Sequence, residues 1–363
     1  MNFLIDIGHP GHVHLYKNLI NELKNRGHEL VVTVKDIPVA LQLLDHYKIP
    51  YIKFGKRGNG ILAKALKQLL FNIEILKLVR QKRIDIGLGT SMSIAHASRF
   101  SKMTSVVFDD DDDQVQPLFT YFAHPFCNFL VSPDALKDKR RKSSTIYYPG
   151  YHELAYLHPR RFEPDPEVIR EIGVKPGERY FILRFNAFKA YHDSGKMGLT
   201  IEDKRRLVKN LSKNGKVFIT VENNLEPEFD RYQLRISPDK IHSLIHYASI
   251  FISDSMTMSS EAAILGTPFL KCHAFAGRLS VPNELEGKYN LGFSYQPAQV
   301  GQLFDKLDEL LAEKRLKSIW QERRCRMLQD KIDVTSFMSW FIENLPESAS
   351  HLSICPNLLQ RFK

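Results

Sequence analysis

The stretch that decides the fold is Ser249-Ile250-Phe251-Ile252-Ser253-Asp254-Ser255-Met256-Thr257-Met258-Ser259-Ser260-Glu261-Ala262-Ala263-Ile264-Leu265-Gly266-Thr267-Pro268. It begins with a short apolar run between polar residues, which is typical of a buried strand. A turn rich in Asp and Ser follows, and then a helix of about two turns that ends at Gly266. Phe269 and Leu270 start the next apolar run. The stretch therefore predicts one strand–helix–strand unit of a parallel sheet.

The start of this helix is a candidate phosphate site. A helix that begins past the carboxyl end of a parallel strand offers free N–H groups and a positive dipole end. Glu261 lies about one turn inside the helix, where its carboxylate would accept hydrogen bonds from ribose hydroxyls. The alternative is an ordinary capped helix with a solvated Glu. The candidate ligand residues in the stretch are Asp254, Ser255, Thr257, Ser259 and Glu261.

Length and composition indicate a globular protein of two domains. The chain has 363 residues, of which 43% are hydrophobic and 25% charged, and this length favours two cores. It has no apolar run long enough to cross a membrane, and it opens on an apolar strand pattern without the basic region of a signal peptide. Its four cysteines are scattered without metal-like spacing. We therefore expect free thiols, no metal and a cytoplasmic location, with the inner face of the membrane left open.

The net charge of +10 indicates anionic partners such as nucleotide phosphates or acidic lipid headgroups. The basic residues form no recognisable nucleic-acid-binding module, so we expect no nucleic acid partner. Residues 61–83 form a long amphipathic pattern with many basic residues. This pattern is either an ordinary surface helix against a sheet or a patch in peripheral contact with an anionic membrane.

The first loop of the chain carries histidines at an expected ligand edge. Residues 3–7 predict a strand and residues 13–25 a helix, so the loop between them lies at the carboxyl end of the first strand. This loop is not the GxGxxG type of dinucleotide-binding domains. We expect His9 or His12 to line the cleft together with Gly8 and Gly11. The alternative is that His9 only caps the turn.

A run of five carboxylates, Asp109 to Asp113, follows the strand predicted at residues 104–108. Mutual repulsion makes such a run costly, although a surface turn would solvate it. At an active site, clustering raises the pKa of at least one member, which suits a base or a ligand. Asp109 and Asp110 are the candidates because they are nearest the strand.

The second half repeats the alternation of strands and helices. Residues 157–166 contain three prolines and predict a linker. The long polar loop after the strand at residues 180–185 is where α/β proteins place function. There His192 and Asp193 are candidate proton-transfer or binding groups, although His192 has the alternative of a plain loop histidine, and Arg184 is a candidate phosphate ligand. The predicted domains are 1–156 and 167–345, with a poorly ordered tail at 346–363.

Two motifs carry a resemblance to known families. The stretch from Ser253 to Pro268 resembles the S/D-S-G-G-x-x-x-E-A-x-x-L-G-x-P element of GT-B-fold nucleotide-sugar enzymes, including UDP-N-acetylglucosamine 2-epimerases. The loop from Gly8 to His12 resembles the first loop of the lipid-linked N-acetylglucosaminyltransferase of peptidoglycan synthesis. Residues 9–19, HPGHVHLYKNL, and residues 190–198, AYHDSGKMG, are together most similar to a bacterial and archaeal family of unassigned activity. The resemblance implies that the helix start holds a diphosphate and that Glu261 holds ribose.

Departures from the epimerase pattern bear on the reaction. The epimerases carry an Asp at the position of Gly89-Thr90 and a Glu at the position of Asp109-Asp110. They are also richer in Gly at the position of Met256-Thr257, where a phosphate approaches the backbone. These differences disfavour a strict hydrolysing epimerase and favour a transferase.

The sequence thus predicts an α/β protein of GT-B type, with two Rossmann-like parallel-sheet domains that face each other across a cleft. The leading function is a glycosyltransferase with a nucleotide-sugar donor, a glycan or lipid-linked acceptor and no cofactor. His12, Asp109 or Asp110 would deprotonate the acceptor. One alternative is a sugar-nucleotide 2-epimerase in which Asp109 and His192 move protons. The other is a non-catalytic protein that binds nucleotide sugars.

Overall fold

The computed structural model describes residues 1–55, 61–185, 198–221 and 225–363. Its internal contacts divide the chain into two compact units. The first comprises Met1–Arg161 together with Lys331–Lys363, and the second comprises Phe162–Asp330. Among the described residues, no helix combines the length and the apolar character needed to cross a membrane.

The first unit is built on a seven-stranded sheet with the order β3-β2-β1-β4-β5-β6-β7, and every neighbouring pair is parallel. The strands are β1 (Asn2–Ile7), β2 (Glu29–Lys35), β3 (Ile52–Phe54), β4 (Ile86–Leu88), β5 (Thr104–Phe108), β6 (Phe129–Pro133) and β7 (Ile146–Tyr148). The intervening helices are α1 (Pro10–Asn25), α2 (Pro38–His46), α3 (Ile61–Lys82), α4 (Met92–Arg99), α5 (Pro117–Phe122) and α6 (Leu154–Leu157).

The strands of this sheet are nearly continuous apolar runs because helices cover both faces. Phe3, Leu4 and Ile5 of β1 are fully buried. Helix α1 follows β1 after two residues and begins with Pro10 in its first turn, a position where the missing N–H costs nothing. The short connection holds the N-terminal end of α1 at the carboxyl edge of the sheet.

The second unit is built on a five-stranded parallel sheet with the order β12-β11-β10-β8-β9. Its strands are β8 (Tyr180–Phe185), β9 (Lys216–Val221), β10 (Ile250–Ser253), β11 (Phe269–Cys272) and β12 (Gly292–Tyr295). Its helices are α7 (Glu167–Glu171), α8 (Ile201–Leu211), α9 (Ile241–Tyr247), α10 (Met256–Leu265), α11 (Ser280–Gly287), α12 (Val300–Ala312) and α13 (Leu316–Asp330).

The predicted strand–helix–strand unit is confirmed as β10, α10 and β11. Gly266 ends α10 in the left-handed conformation with φ 72°, which a residue with a side chain adopts only at a cost. Residues 231–236 mix apolar and polar residues, which predicts a strand, but this prediction is wrong. A 3-10 helix at Pro227–Tyr232 occupies part of it, and one bridge joins Ile219 to Gln233.

The C-terminal segment differs from the sequence prediction. Residues 331–345 are predicted to belong to the second domain, and residues 346–363 to form a tail. Instead the segment returns to the first unit as α14 (Val334–Glu343), α15 (Glu347–Ile354) and a 3-10 helix at Pro356–Phe362. The tail prediction is wrong because Leu352, Leu359 and Phe362 are buried.

Candidate functional site

The histidines of the first loop are held by backbone N–H groups at the carboxyl end of β1. Gly11 N donates to His9 Nδ1 at 3.1 Å, which caps α1. Gly8 N donates to His12 Nδ1 at 3.2 Å. Burial, together with the charges of His9 and His152, lowers the pKa of His12 to about 3. His12 is therefore neutral at physiological pH and carries its proton on Nε2, so it offers a hydrogen-bond donor rather than a base.

The acidic run after β5 is neutralised from within the first unit. Asp109 is fully buried and accepts hydrogen bonds from Gln116 Nε2 at 2.6 Å and His124 Nε2 at 2.9 Å. Arg140 Nη1 lies 3.0 Å from Asp109 Oδ2 and 2.7 Å from Asp113 Oδ1. Because these partners occupy its carboxylate, Asp109 serves the fold and is a poor candidate for the predicted base.

Asp110 has a different environment from Asp109. Its Oδ1 lies 3.1 Å from His152 Nδ1, and the residue is half-buried. Burial opposes its ionisation, but the charge and hydrogen bond of His152 hold the pKa of Asp110 below its usual value. The pKa of His152 is raised, because the charge of Asp110 outweighs the desolvation of the ring. The structure thus assembles a partly buried Asp–His pair that the sequence did not predict.

The sequence predicts that one carboxyl of the acidic run has a raised pKa, and in the structure this carboxyl is that of Asp111. Its residue surface is exposed, yet desolvation and the charges of Asp110 and Asp109 raise the pKa of its carboxyl to about 7. Asp111 therefore titrates near neutrality beside the Asp110–His152 pair.

Two buried tyrosines lie beside this pair. Tyr16 on α1 and Tyr148 at the end of β7 are fully buried. Their hydroxyl oxygens, and Nε2 of His152, have no hydrogen-bond partner among the described residues. Burial and the charges of Asp6 and Asp110 raise the pKa of Tyr16, while burial and the charge of Asp110 raise that of Tyr148. One carboxylate, that of Asp110, is thus close enough to act on both phenols.

In the second unit the predicted phosphate ligands lie together at the carboxyl edge of the sheet. Arg184 of β8 is paired in register with Ser253 of β10, and Asp254 N donates to Arg184 O at 3.3 Å. Helix α10 begins two residues later. Among the described residues, Ser255 makes no side-chain hydrogen bond that caps α10, and Thr257 in the first turn is exposed. The N-terminal N–H groups of α10 are therefore positioned to meet an anion.

Two of the predicted ligand side chains are engaged inside the second unit. Ser259 Oγ donates to Ser255 O at 2.8 Å and lies 2.9 Å from Ser253 Oγ, so it fixes the turn before α10. Glu261 is only 4% exposed, and its Oε1 lies 3.0 Å from His242 Nε2. A contact between Glu261 and ribose would have to form next to this buried pair.

Two predicted site residues lie outside the described ranges, and one buried lysine was not among the predicted site residues. His192 and Asp193 fall in residues 186–197, which the structure does not describe. Lys271 at the end of β11 is not among the predicted ligands, yet it is buried. Burial lowers its pKa, although Glu286 at 3.7 Å opposes the shift. The sequence does contain a feature that singles out Lys271. It stands inside the otherwise apolar run Phe269–Cys272, and charged residues are rare in buried strands.

Comparison with known proteins identifies the family. Residues 1–333 match the model of a family described as a protein of unknown function, DUF354. The chain belongs to the DUF354 family. It is 22% identical over 280 residues to an uncharacterised protein of Methanocaldococcus jannaschii. The aligned residues cover 74% of this chain and 81% of that protein.

Solved structures with the same fold come from two groups of enzymes. A co-structure of S. aureus MnaA with UDP superposes with a TM-score of 0.69 at 13% identity, covering 98% of this chain and 97% of that one. A UDP-N-acetylglucosamine 2-epimerase gives 0.60 at 14% identity, covering 91% of each chain. The glycosyltransferase VinC in complex with dTDP gives 0.60 at 13%, covering 97% and 100%. At these identities the likeness shows the GT-B fold alone, which confirms the predicted fold class of two parallel-sheet α/β domains.

Proposed function

We propose that this DUF354 protein is a glycosyltransferase that uses a nucleotide-diphosphate sugar, in the biosynthesis of a cell-surface polysaccharide or another glycan. The observation that carries the proposal is the N-terminal turn of α10, open at the carboxyl edge of the second sheet beside Arg184. Two structures of similar fold were solved with a nucleoside diphosphate, UDP in one and dTDP in the other. Both observations support a nucleotide-sugar donor.

In this proposal the second unit binds the donor. The N–H groups of Met256 and Thr257 and the guanidinium of Arg184 stabilise the negative charge that develops on the leaving diphosphate. Asp254 and Ser255 form the turn that precedes α10, and Ser259 stabilises this turn through its hydrogen bonds. Glu261, held by His242, is the proposed ribose contact. His192 and Asp193 remain predicted contributors on residues outside the described ranges.

The first unit would bind a glycan or lipid-linked acceptor. Gly8, His9, Gly11 and His12 form the loop at its carboxyl edge, where His12 offers an N–H donor to an acceptor oxygen. Asp110 lies at the same edge. No cofactor takes part in the proposed reaction.

We also propose that the first unit makes peripheral contact with a membrane through an apolar patch. Thirteen large hydrophobic side chains are exposed among the described residues, and nine of them belong to this patch. A groove of about 810 Å³ runs through it between α3 and the residues around α5. The patch comprises Leu66, Leu69, Leu70, Ile73, Phe100, Leu118, Tyr121, Phe122 and Phe126.

The charge around the apolar patch favours an anionic bilayer as its occupant. Between residues 66 and 102 two residues are acidic, Glu74 and Asp85, and seven are basic. A second copy of the chain would bring the same positive charge to the surface and be repelled. A bilayer with anionic headgroups would accept both the apolar side chains and the basic rim. The basic residues are Lys67, Lys77, Arg80, Lys82, Arg83, Arg99 and Lys102.

A sugar-nucleotide epimerase is the second candidate, because an epimerase shares the fold. Incubation with UDP-N-acetylglucosamine alone separates the two reactions. A transferase leaves the configuration at C2 of the sugar unchanged and needs an acceptor for rapid release of UDP. Accumulation of free UDP with a 2-epimerised sugar, without any acceptor, would contradict the transferase.

The third candidate function is nucleotide-sugar binding without catalysis. A thermal-shift screen tests the donor site that all three candidate functions share. A nucleoside diphosphate or nucleotide sugar at about 100 times its dissociation constant should stabilise the protein by roughly 2.7 kcal/mol. The Arg184→Ala variant should lose most of this shift. If no nucleotide raises the melting temperature of the wild-type protein, the donor site is wrong.

A further inference from the structure

We infer that the first unit contains a hydroxyl-binding catalytic pocket formed by Asp110, His152, Tyr16 and Tyr148, in which His152 takes the proton of an acceptor hydroxyl. The inference rests on the proposed transferase function and names the group that activates its acceptor. It assigns catalysis to a residue of the loop between β7 and α6, whereas the sequence predicts His12, Asp109 and Asp110.

The four side chains come from different elements that meet at the carboxyl edge of the first sheet. Asp110 follows β5, Tyr148 ends β7, and His152 lies in the loop after β7, while Tyr16 comes from α1. The contact of 3.1 Å between Asp110 and His152 ties two of these elements together. The charge of the same carboxylate acts on both phenols. The chain therefore gathers two phenols and one imidazole near one carboxylate.

Three polar atoms of these groups, the two phenol oxygens and His152 Nε2, are buried. The two tyrosines are fully buried and His152 is only 9% exposed. The two hydroxyls and His152 Nε2 have no hydrogen-bond partner among the described residues. Folded proteins avoid leaving buried polar atoms unpaired, because their lost hydrogen bonds to water are not replaced. Three such atoms around one carboxylate indicate a place that a ligand's polar group completes.

The charges of the pocket select a neutral ligand group. Asp110 and Glu153 carry carboxyls at the pocket, and Asp111 lies beside it, so a phosphate or a carboxylate would be repelled. Each phenol can both donate and accept a hydrogen bond. A hydroxyl has the same double capacity and no charge. The chemistry therefore fits an alcohol of a sugar or another polyol.

The orientation of His152 fits the role of a base. In the neutral ring Nδ1–H donates to Asp110 Oδ1, which leaves the lone pair on Nε2, the atom without a partner. The acceptor O–H bond breaks as Nε2 takes the proton. The oxygen uses its electron pair to bond to the anomeric carbon of the nucleotide sugar. The bond from that carbon to the diphosphate breaks, and its electron pair leaves with the diphosphate. Asp110 is the positioning residue that stabilises the imidazolium.

The first part of the test needs no substrate. Tyr16→Phe and Tyr148→Phe remove hydroxyls that have no hydrogen-bond partner in the part of the chain that the structure describes, so the melting temperature of each variant should hold or rise. Tyr180→Phe is the matched control, because its buried hydroxyl donates to Leu244 O at 2.6 Å. This control should lower the melting temperature. A fall of equal size in Tyr16→Phe and Tyr148→Phe would show that their hydroxyls are bonded within the protein, and would overturn the pocket.

The second part measures turnover with UDP-N-acetylglucosamine as donor and methyl glucoside as the hydroxyl probe. His152→Gln should lower the rate of UDP release by a factor of about 10²–10⁴. It should leave the UDP-induced thermal shift unchanged. The two Tyr→Phe variants should raise the KM for methyl glucoside by about tenfold, as expected for one lost hydrogen bond.

The outcomes separate the pocket from the proposed function. If UDP stabilises every variant but His152→Gln turns over at the wild-type rate, the base assignment is wrong and the transferase stands. If neither UDP nor the nucleotide sugar stabilises the wild-type protein, the donor site itself fails. Tyr180→Phe should leave the KM for methyl glucoside unchanged, which shows that a rise in the other two variants reports on the pocket.

Discussion

At the scale of single residues, the pair of Asp110 and His152 determines how activity should depend on pH. The base form of His152 is the neutral ring, and its pKa is raised despite burial because of the charge of Asp110. The ring therefore stays protonated above its ordinary pKa of 6.5. We expect kcat/KM to rise with pH through a limb centred above 6.5. The charged and titratable groups that face the ring are Asp109, Asp110, Asp111, Glu153 and His12.

The Asp110→Asn variant tests the sign of this effect. Removing the carboxylate removes the largest influence that raises the pKa of His152, so the limb should move toward lower pH. The plateau rate should fall, because the imidazolium loses its counter-charge. The measurement is the pH profile of kcat/KM for both proteins. A limb at the same pH in Asp110→Asn would exclude His152 as the titrating base.

The sequence predicts loops at the carboxyl edge of the first sheet but not how the side chains within them pair. Carboxyl ends of parallel strands share one edge of the sheet, so the loops at Gly8 and Asp109 could be predicted. Within the run of five Asp residues, however, the sequence gives no reason to separate Asp109 from Asp110. The separation comes from Arg140, which occupies Asp109 and Asp113. His152 gains its role only through a partner that is distant in the sequence.

At the scale of the element, the C-terminal end of α10 is stabilised by two side chains of α13. Gln321 Nε2 donates to Leu265 O at 3.2 Å and to Gly266 O at 3.1 Å, while Arg324 Nε donates to Ile264 O at 2.7 Å. Two residues of α13 thus satisfy carbonyl groups that every helix leaves unpaired at its end. The same residues close the space around Gly266. A Cβ there would lie 2.5 Å from Gln321 Nε2 and 2.8 Å from Arg324 Cδ.

Gly266→Ala should therefore destabilise the second unit by more than the same substitution at a left-handed glycine with open space around it. The left-handed conformation alone costs roughly 1–2 kcal/mol with a side chain. Displacing Gln321 and Arg324 should add about 1 kcal/mol from their hydrogen bonds. Gly277→Ala is the matched control, since Gly277 has φ 75° and no atom within 4 Å of an added Cβ among the described residues. Urea unfolding measures both, and equal losses of stability would contradict the role of α13.

The sequence predicts strands with apolar runs well and strands of mixed composition poorly. The strand–helix–strand unit around α10 follows from its apolar runs and its Gly266-Thr267-Pro268 ending. Strand β10, in which three of four residues are apolar, has the same length as β12, whose mixed sequence Gly-Phe-Ser-Tyr gives no clear strand pattern. The segment at 231–236 mixes apolar and polar residues like a strand, yet it gains only one bridge. Pairing partners, which local sequence does not name, decide such cases.

At the scale of the whole molecule, the C-terminal segment completes the first unit. Arg161 Nε donates to Asp333 Oδ2 at 2.8 Å, and Ser339 Oγ donates to Glu22 at 2.7 Å. Phe337, Met338 and Phe341 of α14 are fully buried. The apolar periodicity of this helix predicts that it covers a sheet, but either sheet would satisfy it. That is why the sequence does not assign residues 331–363 to the first unit.

A chain that ends at Asp330 should lose the cooperative unfolding of the first unit. It would expose the face of α1 that α14 covers and remove the partners of Arg161 and Glu22. Circular dichroism during heating, combined with limited proteolysis, should show early cleavage within residues 1–161. A chain that ends at Ile354 is the control, because it loses only the 3-10 helix with Leu359 and Phe362 and should keep the transition at a lower temperature. Equal melting of both truncated chains and the full chain would contradict this division.

The surface of the whole molecule makes the last prediction, which concerns membrane contact. Seven basic residues and two acidic ones lie between residues 66 and 102, the segment that supplies five side chains of the apolar patch. Binding should therefore need both anionic lipid and apolar contact. The protein should sediment with vesicles that contain an anionic lipid, and less with neutral ones or at high salt, which screens the attraction. Leu69→Gln should weaken binding by about tenfold or more, because Leu69 lies in the groove of the patch, burying one Leu contributes roughly 1.5–3 kcal/mol and about 1.4 kcal/mol corresponds to a factor of ten. Ile354→Gln is the matched control: Ile354 is 83% exposed but lies outside the patch, and its substitution should change nothing. Equal binding by Leu69→Gln and the wild type, or equal binding to neutral vesicles, would remove the bilayer as the occupant of the patch.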